Sequence, residues 1–406
     1  MVEPTNSIFL NRSTPPHILT LILLAGISAL AMNMFLPSLP GMAIYFKTDY
    51  RLLQLSVALY LAVTAVMQVV LGPVSDRFGR RPVVLAGMAI FLLATLGCII
   101  STNVYVFLAF RMLQAAIVAA MVLSRAIVRD MVPQDQAASM IGYVTMGMAI
   151  VPMVGPAIGG VLDQLFDWHA NFWLLFILGA LVTLITWADL GETAPLGNGR
   201  MRNQFREYPT LLKSYRFWGY SMASALSSGA FFAYLGGGPF VGAHVFDLPP
   251  AKLGLYFGAP AIGYLLGNFL SGRLSVRVGV NRMVLWGTLI ASAGIALNLL
   301  MFELNIGSAL SFFGLMTFLG LGNGMTIPNA TAGALSVHSD LVGTASGLSG
   351  ALMIGGGAAL SALAGVMLTS NSGAFPLLWI MLVSSVLGVF AIGAVMMRER
   401  RAMATQ

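Results

Sequence analysis

Charge and cysteine are scarce in this sequence. Charged residues make up 9% of the 406, and Cys98 is the single cysteine. One cysteine excludes a disulfide framework and a cysteine-based metal site, and the four histidines are too scattered to provide metal-ligand spacing. The sequence has no Walker segment, and no apolar run contains paired carboxylates or an activated nucleophile. These absences exclude ATP-driven transport and the common classes of enzyme, and we predict no metal and no cofactor.

Apolar residues are abundant instead. They account for 58% of the chain, whereas soluble domains contain about 45–50%. A soluble fold of this length could not bury so much apolar surface. The 45 glycines agree, because glycine is more frequent in membrane helices than in soluble ones. The composition therefore indicates an all-α membrane protein with many spans.

Twelve apolar runs have the length of about 20 residues that a helix needs to cross a bilayer. Their predicted spans are 17–41, 52–72, 82–101, 104–128, 136–162, 170–189, 216–241, 250–272, 282–302, 307–332, 342–368 and 374–397. No small-residue cleavage site follows the first run, so we do not expect a removable signal. An even number of spans places both termini on the same side of the membrane.

The basic residues set the orientation of these spans. With both termini in the cytoplasm, most of the 21 Lys and Arg residues lie on the cytoplasmic side, as the positive-inside rule requires. These basic stretches are residue 12 and residues 77–81, 125–129, 200–216, 273–282 and 398–401. The net charge of +7 follows from this topology. Because the basic residues form no continuous face, we expect no nucleic-acid partner.

The sequence repeats itself weakly at half its length. LGPVSDRFGRRPVVLAG at 71–87 is similar to SGRLSVRVGVNRMVLWG at 271–287, and Gly160 in GPAIGGVL matches Gly365 in LSALAGVM. Parallel repeats of six helices are a transporter architecture with a substrate site near the midplane. We therefore predict two six-helix pseudo-repeats. Their bounds are 1–190 and 216–406, joined by a cytoplasmic linker at 191–215.

Three short motifs together resemble the Major Facilitator Superfamily. GPVSDRFGRRP (72–82) resembles its signature after the second helix, and FRMLQAAIVAA (110–120) its fourth-helix signature with Ala115 in place of glycine. VGPAIGG (154–160) resembles the fifth-helix signature of its drug–proton antiporters. Stretches such as AMNMFLPSLPGM and GNGMTIPNATAGALS resemble the twelve-helix bicyclomycin/chloramphenicol exporters, the Bcr/CflA type. The resemblance covers essentially the whole chain and implies the major facilitator fold and proton-driven drug export.

The first motif combines two glycines, one acid and three arginines. These residues are Gly72, Asp76, Arg77, Gly79, Arg80 and Arg81. Glycine suits a tight turn and arginine suits the anionic cytoplasmic leaflet, but an acid at the end of an apolar helix needs a partner. We predict a conformational latch in which Asp76 pairs with Arg129 while Arg80 pairs with Asp130; a plain topology signal is the alternative. The resemblance also implies that the acid lies by the N-terminus of helix eleven.

Arg111 is the one basic residue predicted deep within a span. Its charge is costly there and marks a functional site. Gln114 follows three residues later on roughly the same helix face. The resemblance links the corresponding arginine of the family to proton coupling. The alternative is a structural arginine bonded to backbone carbonyls of a neighbouring helix.

The fifth span contains prolines and glycines in close succession. They are Pro152, Gly155, Pro156, Gly159 and Gly160. Proline bends a helix, and glycines four residues apart admit a neighbouring helix closely. We predict a pliable gate helix against the opposite half, with close packing alone as the alternative.

The acidic residues depart from the family pattern. AMNMFLP (31–37) aligns with a family stretch that often carries aspartate, and Asn33 stands there instead. Every acid falls at the end of a span or in a loop. Either Asp163 or Asp189 therefore reaches the cavity and carries the proton, or the charge of the substrate substitutes, or transport is not proton-driven. Asn33 itself binds substrate or bonds a neighbouring helix.

A substrate cavity of an exporter should be apolar and aromatic with few polar points. The predicted substrate-binding residues are Asn33, Tyr60, Arg111, Gln114, Met146, Phe231, Tyr234, Tyr256, Tyr264 and Asn323. Lipid contact or core packing is the alternative for each aromatic residue. The 25 methionines would adapt to substrates of varied shape.

These observations favour a monomeric secondary transporter of the bacterial cytoplasmic membrane. Its partners would be small amphipathic substrates, protons and the lipid bilayer. The rival on the same fold is a transporter of a physiological solute, because fold does not fix substrate. A membrane enzyme or receptor is disfavoured, since no catalytic constellation and no large soluble loop is present.

Overall fold

Helices follow nearly every apolar run of the sequence. A computed structural model describes residues 7–131, 154–193, 211–337, 342–369 and 372–404, together with residues 140, 144 and 151. Every regular element in these ranges is helical. The α-helices in chain order are α1 (Ile18–Asn33), α2 (Leu39–Tyr45), α3 (Tyr50–Phe78), α4 (Arg80–Ile100), α5 (Val104–Gln114), α6 (Val118–Met131), α7 (154–165), α8 (His169–Asp189), α9 (Tyr215–His244), α10 (Pro250–Tyr256), α11 (Ala259–Val278), α12 (Val280–Glu303), α13 (Ala309–Leu335), α14 (Val342–Met367) and α15 (Phe375–Ala404).

Ten helical stretches of the described chain are long and apolar enough to cross a membrane. The predicted span 136–162 lies partly outside the described residues. The predicted span 216–241 lies within α9, whose 30 residues exceed the length required. Four buried serines dilute its apolar character, and it is not among the ten: Ser221, Ser224, Ser227 and Ser228. The described residues confirm the all-helical class, whereas the count of twelve spans and the cytoplasmic termini stay predictions.

Three of the apolar runs are interrupted. A 3₁₀ turn at Leu36–Ser38 separates α1 from α2, another at Ala115–Ile117 separates α5 from α6, and a short irregular step separates α10 from α11. Prolines explain the first and third breaks, because proline has no backbone N–H to donate. At the second break, the hydroxyl of Ser28 donates to the carbonyl of Ile117 at 2.9 Å. This break lies directly after the predicted site residues of α5.

The helices pack mainly within two groups, α1–α8 and α9–α15. In the first group α4 packs against α5 and α8; in the second, α13 packs against α11 and α12, and α9 against α14 and α15. The main contact between the groups joins α3 to α14. The predicted domain bounds stay a prediction, since residues 194–210 of the linker lie outside the described residues.

The two copies of the loop motif lie at one end of the bundle. We call this end, which carries residues 77–81, 273–282 and 398–401, the basic end. Both copies turn at a glycine with positive φ, 95° at Gly79 and 90° at Gly279. Glycine adopts this conformation without a steric penalty. The repeat predicted from sequence is therefore also a repeat of backbone geometry at this turn.

Candidate functional site

A buried arginine connects α5 to the first break in the chain. Arg111 exposes only 1% of its surface. Its guanidinium lies between two aromatic rings, 4.3 Å from the ring centre of Phe35 and 4.1 Å from that of Tyr60. It donates hydrogen bonds to the carbonyl of Ala31 (3.0 Å) and to the side-chain oxygen of Gln114. Ring faces and carbonyl dipoles therefore balance the charge, and within the described ranges no carboxylate forms an ion pair with it.

The end of α1 explains why a cation is held at this place. Because α1 ends at Asn33, Ala31 lies in the last turn, where carbonyls lack partners within the helix. The C-terminal end of a helix also carries a partial negative charge. Gln114 extends the network, since its amide donates to the hydroxyl of Thr95 in α4 at 2.8 Å. The Arg111 contact with a carbonyl of a neighbouring helix is the one expected of a structural arginine, and it gives the side chain an anchoring role.

Asn33 lies next to this network and is buried. Its Nδ2 donates to the carbonyl of Ala29 at 2.8 Å, so it bonds its own helix rather than a neighbouring one. Its Oδ1 has no hydrogen-bond partner among the described residues. An unsatisfied buried acceptor costs about 1–3 kcal/mol. Asn33 therefore offers one unused acceptor two residues from the carbonyl that binds Arg111.

A second charged cluster lies at the basic end of α1–α8. Arg80 lies 2.5 Å from Asp76 and 3.0 Å from Asp130, so it joins the end of α3 to the end of α6. Glu192, just beyond α8, accepts hydrogen bonds from the backbone N–H groups of Arg80 (2.7 Å) and Arg81 (3.3 Å). A carboxylate at this position satisfies orphan donors at the start of α4.

One predicted pair of this cluster is present, and the other, between Asp76 and Arg129, involves a side chain outside the described residues. Arg80 pairs with Asp130 as expected, but the ion pair of Asp76 is with Arg80, four residues later on the chain. Asp76 and Arg80 lie on either side of the turn at Gly79, so their closeness along the chain accounts for this pair. The pair of Asp76 with Arg129 stays a prediction. The side chain of Arg129 lies outside the described part of the structure. Arg77 is exposed and its guanidinium lies 5.3 Å from the ring of Phe78.

The opposite end of the bundle is closed by polar contacts that sequence reasoning missed. Gln54 of α3 donates to the carbonyl of Ser361 in α14 at 2.9 Å. Tyr50 donates to the carbonyl of Gly236 in α9 at 3.0 Å. A Cβ at Gly236 would meet the Gln54 amide within 2.7 Å, so a larger residue there would displace the contact. A polar residue in the apolar run LLQLSVALYLAV was the available signal for Gln54.

The predicted gate helix crosses the other helical group at glycine. A Cβ added at Gly160 of α7 would overlap the carbonyl oxygen of Pro250 in α10, and one at Gly254 would overlap that of Pro156. Gly159 is just as close to the carbonyl of Met34, within its own group. Gly155 has more room, since a Cβ added there would lie 3.1 Å from its nearest neighbour. Met146 and Pro152 lie outside the described residues.

The predicted aromatic lining is packed in this conformation. Tyr234 is fully buried, with its ring 4.8 Å from that of Phe257 and 6.3 Å from that of Phe313. Stacking removes the whole ring from any open surface in the conformation described, and the role of Tyr234 in substrate binding stays a prediction. Asn323 is also buried and accepts a hydrogen bond from Ser227 at 2.6 Å. The remaining three aromatic candidates are half-buried: Phe231, Tyr256 and Tyr264.

The two predicted proton carriers differ in their surroundings. Asp189 is fully buried and accepts hydrogen bonds from Leu10 N, His17 N and the hydroxyl of Thr20, at 2.7–2.8 Å. These donors surround the start of α1, so Asp189 caps a helix in the conformation described, and its role in proton coupling stays a prediction.

Asp163 lies one residue beyond the predicted span 136–162 and is half-buried. Burial raises the pKa of its carboxyl from 3.8 to about 6, and the charge of Asp167 adds to this, while the Ser38 hydroxyl acts in the opposite direction. A carboxylate with this pKa changes its charge close to physiological pH, whereas an ordinary aspartate does not.

Comparison with known proteins agrees with the motifs. The family model described as Major Facilitator Superfamily matches residues 21–352 and 243–406. A bicyclomycin resistance protein homolog of Haemophilus influenzae is 28% identical over 384 residues, which cover 94% of this chain and 96% of the relative. Multidrug resistance protein D of Escherichia coli is 30% identical over 373 residues, covering 89% and 91%.

A solved structure shares the fold. It is the crystal structure of a bacterial homolog to the human lysosomal transporter Spinster, in an inward-facing and occupied conformation. The TM-score is 0.73 at 18% identity, and the match covers 94% of this chain and 96% of that one. Both the family match and the long apolar helices fit the resemblance drawn from residues 72–82, 110–120 and 154–160. The chain therefore belongs to the Major Facilitator Superfamily, and it is a multi-pass transporter of the bacterial inner membrane and not an enzyme.

Proposed function

We propose that this chain exports small amphipathic molecules, antibiotics among them, from the cytoplasm. The similarity to a bicyclomycin resistance protein homolog across more than nine-tenths of both chains carries this proposal. The relative named multidrug resistance protein D supports it over a comparable length. The motif VGPAIGG (154–160) supports export, because it resembles the antiporter signature.

Transport by alternating access is the mechanism that we infer. Gln54 and the glycine crossings of α7 and α10 hold the opposite end closed, and they would separate for substrate to leave. If the termini are cytoplasmic, that end is the outer side. At the basic end, we propose that Asp76, whose side chain is 33% exposed, turns from Arg80 toward the start of α14 when this end closes. A helix N-terminus stabilises a carboxylate.

Proton coupling is a further part of the proposal. Asp163 is the carrier that the geometry supports, since burial sets its pKa near 6 while Asp189 caps α1. Arg111 would transmit the change in protonation of Asp163 to the helices, because it connects the break after α1 to the break after α5. Each proton crossing contributes about 2.3 kcal/mol per 100 mV of membrane potential.

A second candidate function is transport of a physiological solute without protons. Asn33 favours it, because an amide stands where the family often has an acid and its Oδ1 is an unused acceptor. Such an acceptor suits a neutral solute that donates a hydrogen bond.

Drug tolerance separates these candidates. The chain would be expressed in a strain that lacks its own drug pumps, and growth would be measured with bicyclomycin, chloramphenicol and cationic dyes, with and without an uncoupler. We expect raised tolerance that the uncoupler abolishes. Arg111→Gln should lower the export rate at least tenfold, while the exposed, surface-stacked Arg398→Gln should not. Comparable membrane levels of both variants serve as the control.

Each alternative result has a definite meaning. Tolerance that persists with the uncoupler would reject proton coupling but keep drug export. Tolerance to no compound would reject drug export and favour the physiological solute.

A further inference from the structure

A cavity of about 630 Å³ opens at the basic end among α9, α12, α13 and α15. Its wall carries three arginines and one acid: Arg216, Arg282, Arg400 and Glu399. The acid is already engaged, because it accepts a hydrogen bond from Asn281 (2.6 Å) and lies 3.0 Å from the Arg216 side chain. Arg282 and Arg400 have no ion pair within the described ranges. Among the described residues, the cavity therefore presents two positive charges that no paired carboxylate compensates.

In the first group of helices, the two arginines at the start of α4 are already engaged. Arg80 is shared by two carboxylates. Arg81 donates to the carbonyls of Leu190 (2.8 Å) and Trp187 (3.1 Å). The positive-inside rule requires basic residues in both repeats, but it does not require that those of the second repeat line a cavity.

Apolar side chains continue from both arginines along the helices. Trp286 follows Arg282 by four residues on α12, and Met397 precedes Arg400 by three on α15. These spacings place each pair on one helix face, and both apolar side chains are exposed. Tyr215, with Arg398 at 4.8 Å from its ring, marks the aromatic and basic level of a membrane interface. A soluble anion would gain nothing from these apolar faces, whereas an acyl chain would cover them.

We propose that this cavity binds the phosphate head group of an anionic phospholipid. Arg282 and Arg400 would hold the phosphate, and the acyl chains would lie along Trp286 and Met397. Basic pockets between membrane helices on the cytoplasmic side bind phospholipid head groups of this kind. The proposal does not depend on what the protein transports.

Lipid binding to the purified, delipidated protein tests the proposal. Native mass spectrometry would measure the retention of dioleoyl phosphatidylglycerol, with dioleoyl phosphatidylcholine as the zwitterionic probe and glycerol phosphate as the soluble anion. We expect phosphatidylglycerol to bind far more tightly than either. The double variant R282Q/R400Q should bind it roughly 30-fold more weakly, since each basic residue near an anionic lipid contributes about a factor of five. Trp286→Ala should weaken the binding of phosphatidylglycerol and leave the binding of glycerol phosphate unchanged.

A matched double variant controls for the lost charge. R273Q/R277Q removes the same charge from the basic end, in α11 and outside the cavity wall, and should change phosphatidylglycerol binding by less than about threefold. An unchanged circular dichroism spectrum of R282Q/R400Q would show that the glutamine variant is folded, and retention of binding in R282K/R400K would show that the charge is what binds the lipid. Equal losses in both glutamine variants would overturn the cavity site. Equal binding of phosphatidylcholine, or of glycerol phosphate, would overturn the proposal that the cavity recognises an anionic phospholipid.

Discussion

The loop motifs at 72–82 and 272–282 have the same turn but different surroundings. Gly79 and Gly279 have nearly equal φ angles, 95° and 90°. Glu192 lies against the first glycine, so closely that a Cβ there would overlap its carboxylate. No described residue lies within 4 Å of a Cβ at Gly279. Both repeats thus have the same backbone turn, whereas only the turn at Gly79 is covered by a carboxylate among the described residues.

The charges of the two motifs differ in the same way. Asp76 forms an ion pair with Arg80, while Val276 stands at its place in the second copy and is 93% exposed. The first copy therefore binds its own helical group together, and the second leaves its basic residues for other partners. The difference indicates that the proposed conformational latch belongs to the first repeat.

Alanine at the two turn glycines would give the largest difference. Both Gly79→Ala and Gly279→Ala force a strained backbone, at roughly 1–3 kcal/mol each. Gly79→Ala should lower the free energy of unfolding more than Gly279→Ala does, because its methyl group must also displace Glu192 from the start of α4. Thermal unfolding in detergent would measure both, with Gly72→Ala and Gly272→Ala as controls that meet no neighbour. Equal losses at the two turns would mean that Glu192 adds nothing.

At the opposite end of the bundle, alanine substitutions in the two helical groups should have similar effects. Gly160→Ala and Gly254→Ala each place a methyl group on a carbonyl of the other group, so each should destabilise the closed end by about 1–3 kcal/mol. Labelling of Ala243→Cys, in a 490 Å³ cavity between the groups, would increase in both variants. A Cys98→Ser background removes the native thiol. An increase in one variant alone would contradict a shared crossing.

Exchange of charge between the motifs would have a smaller effect. Asp76→Asn should shift the inward and outward populations, by about 0.5–1 kcal/mol because the pair is partly exposed. Val276→Asp should leave them unchanged, since an exposed carboxylate there has no comparable partner. Accessibility labelling at both ends would measure the shift. Unchanged populations in Asp76→Asn would reject the latch and leave a topology signal.

The smallest expected effect concerns Asp163 and pH. Its pKa is raised in the folded state, so between pH 3.8 and about 6 the folded protein binds more protons than the unfolded chain. Its contribution to stability is therefore present below pH 4 and is lost as pH rises through 6. Asp163→Asn should flatten the change of melting temperature between pH 4 and 7. Glu303→Gln, at an exposed position, is the control. If it flattened the pH profile of the melting temperature equally, the effect could not be attributed to Asp163.

Local spacing predicted some contacts and failed for others. Arg111 and Gln114 share a helix face because three residues separate them, and the sequence is sufficient for that. The two rings around Arg111 come from Phe35 and Tyr60 on other helices, and only Tyr60 was a candidate. Glu192 gave no signal, because its partners are backbone N–H groups that every sequence contains.

The sequence by itself determined the membrane class, the family and the turns at Gly79 and Gly279. These follow from composition and from residues close together along the chain, where a helix span or a glycine turn is a local preference. Only the tertiary structure decided that Glu192 caps the start of α4, that Asp189 caps α1 and that Tyr234 is packed away. Those outcomes depend on which helix lies beside which, and packing between distant segments fixes the partner of a charge or a ring.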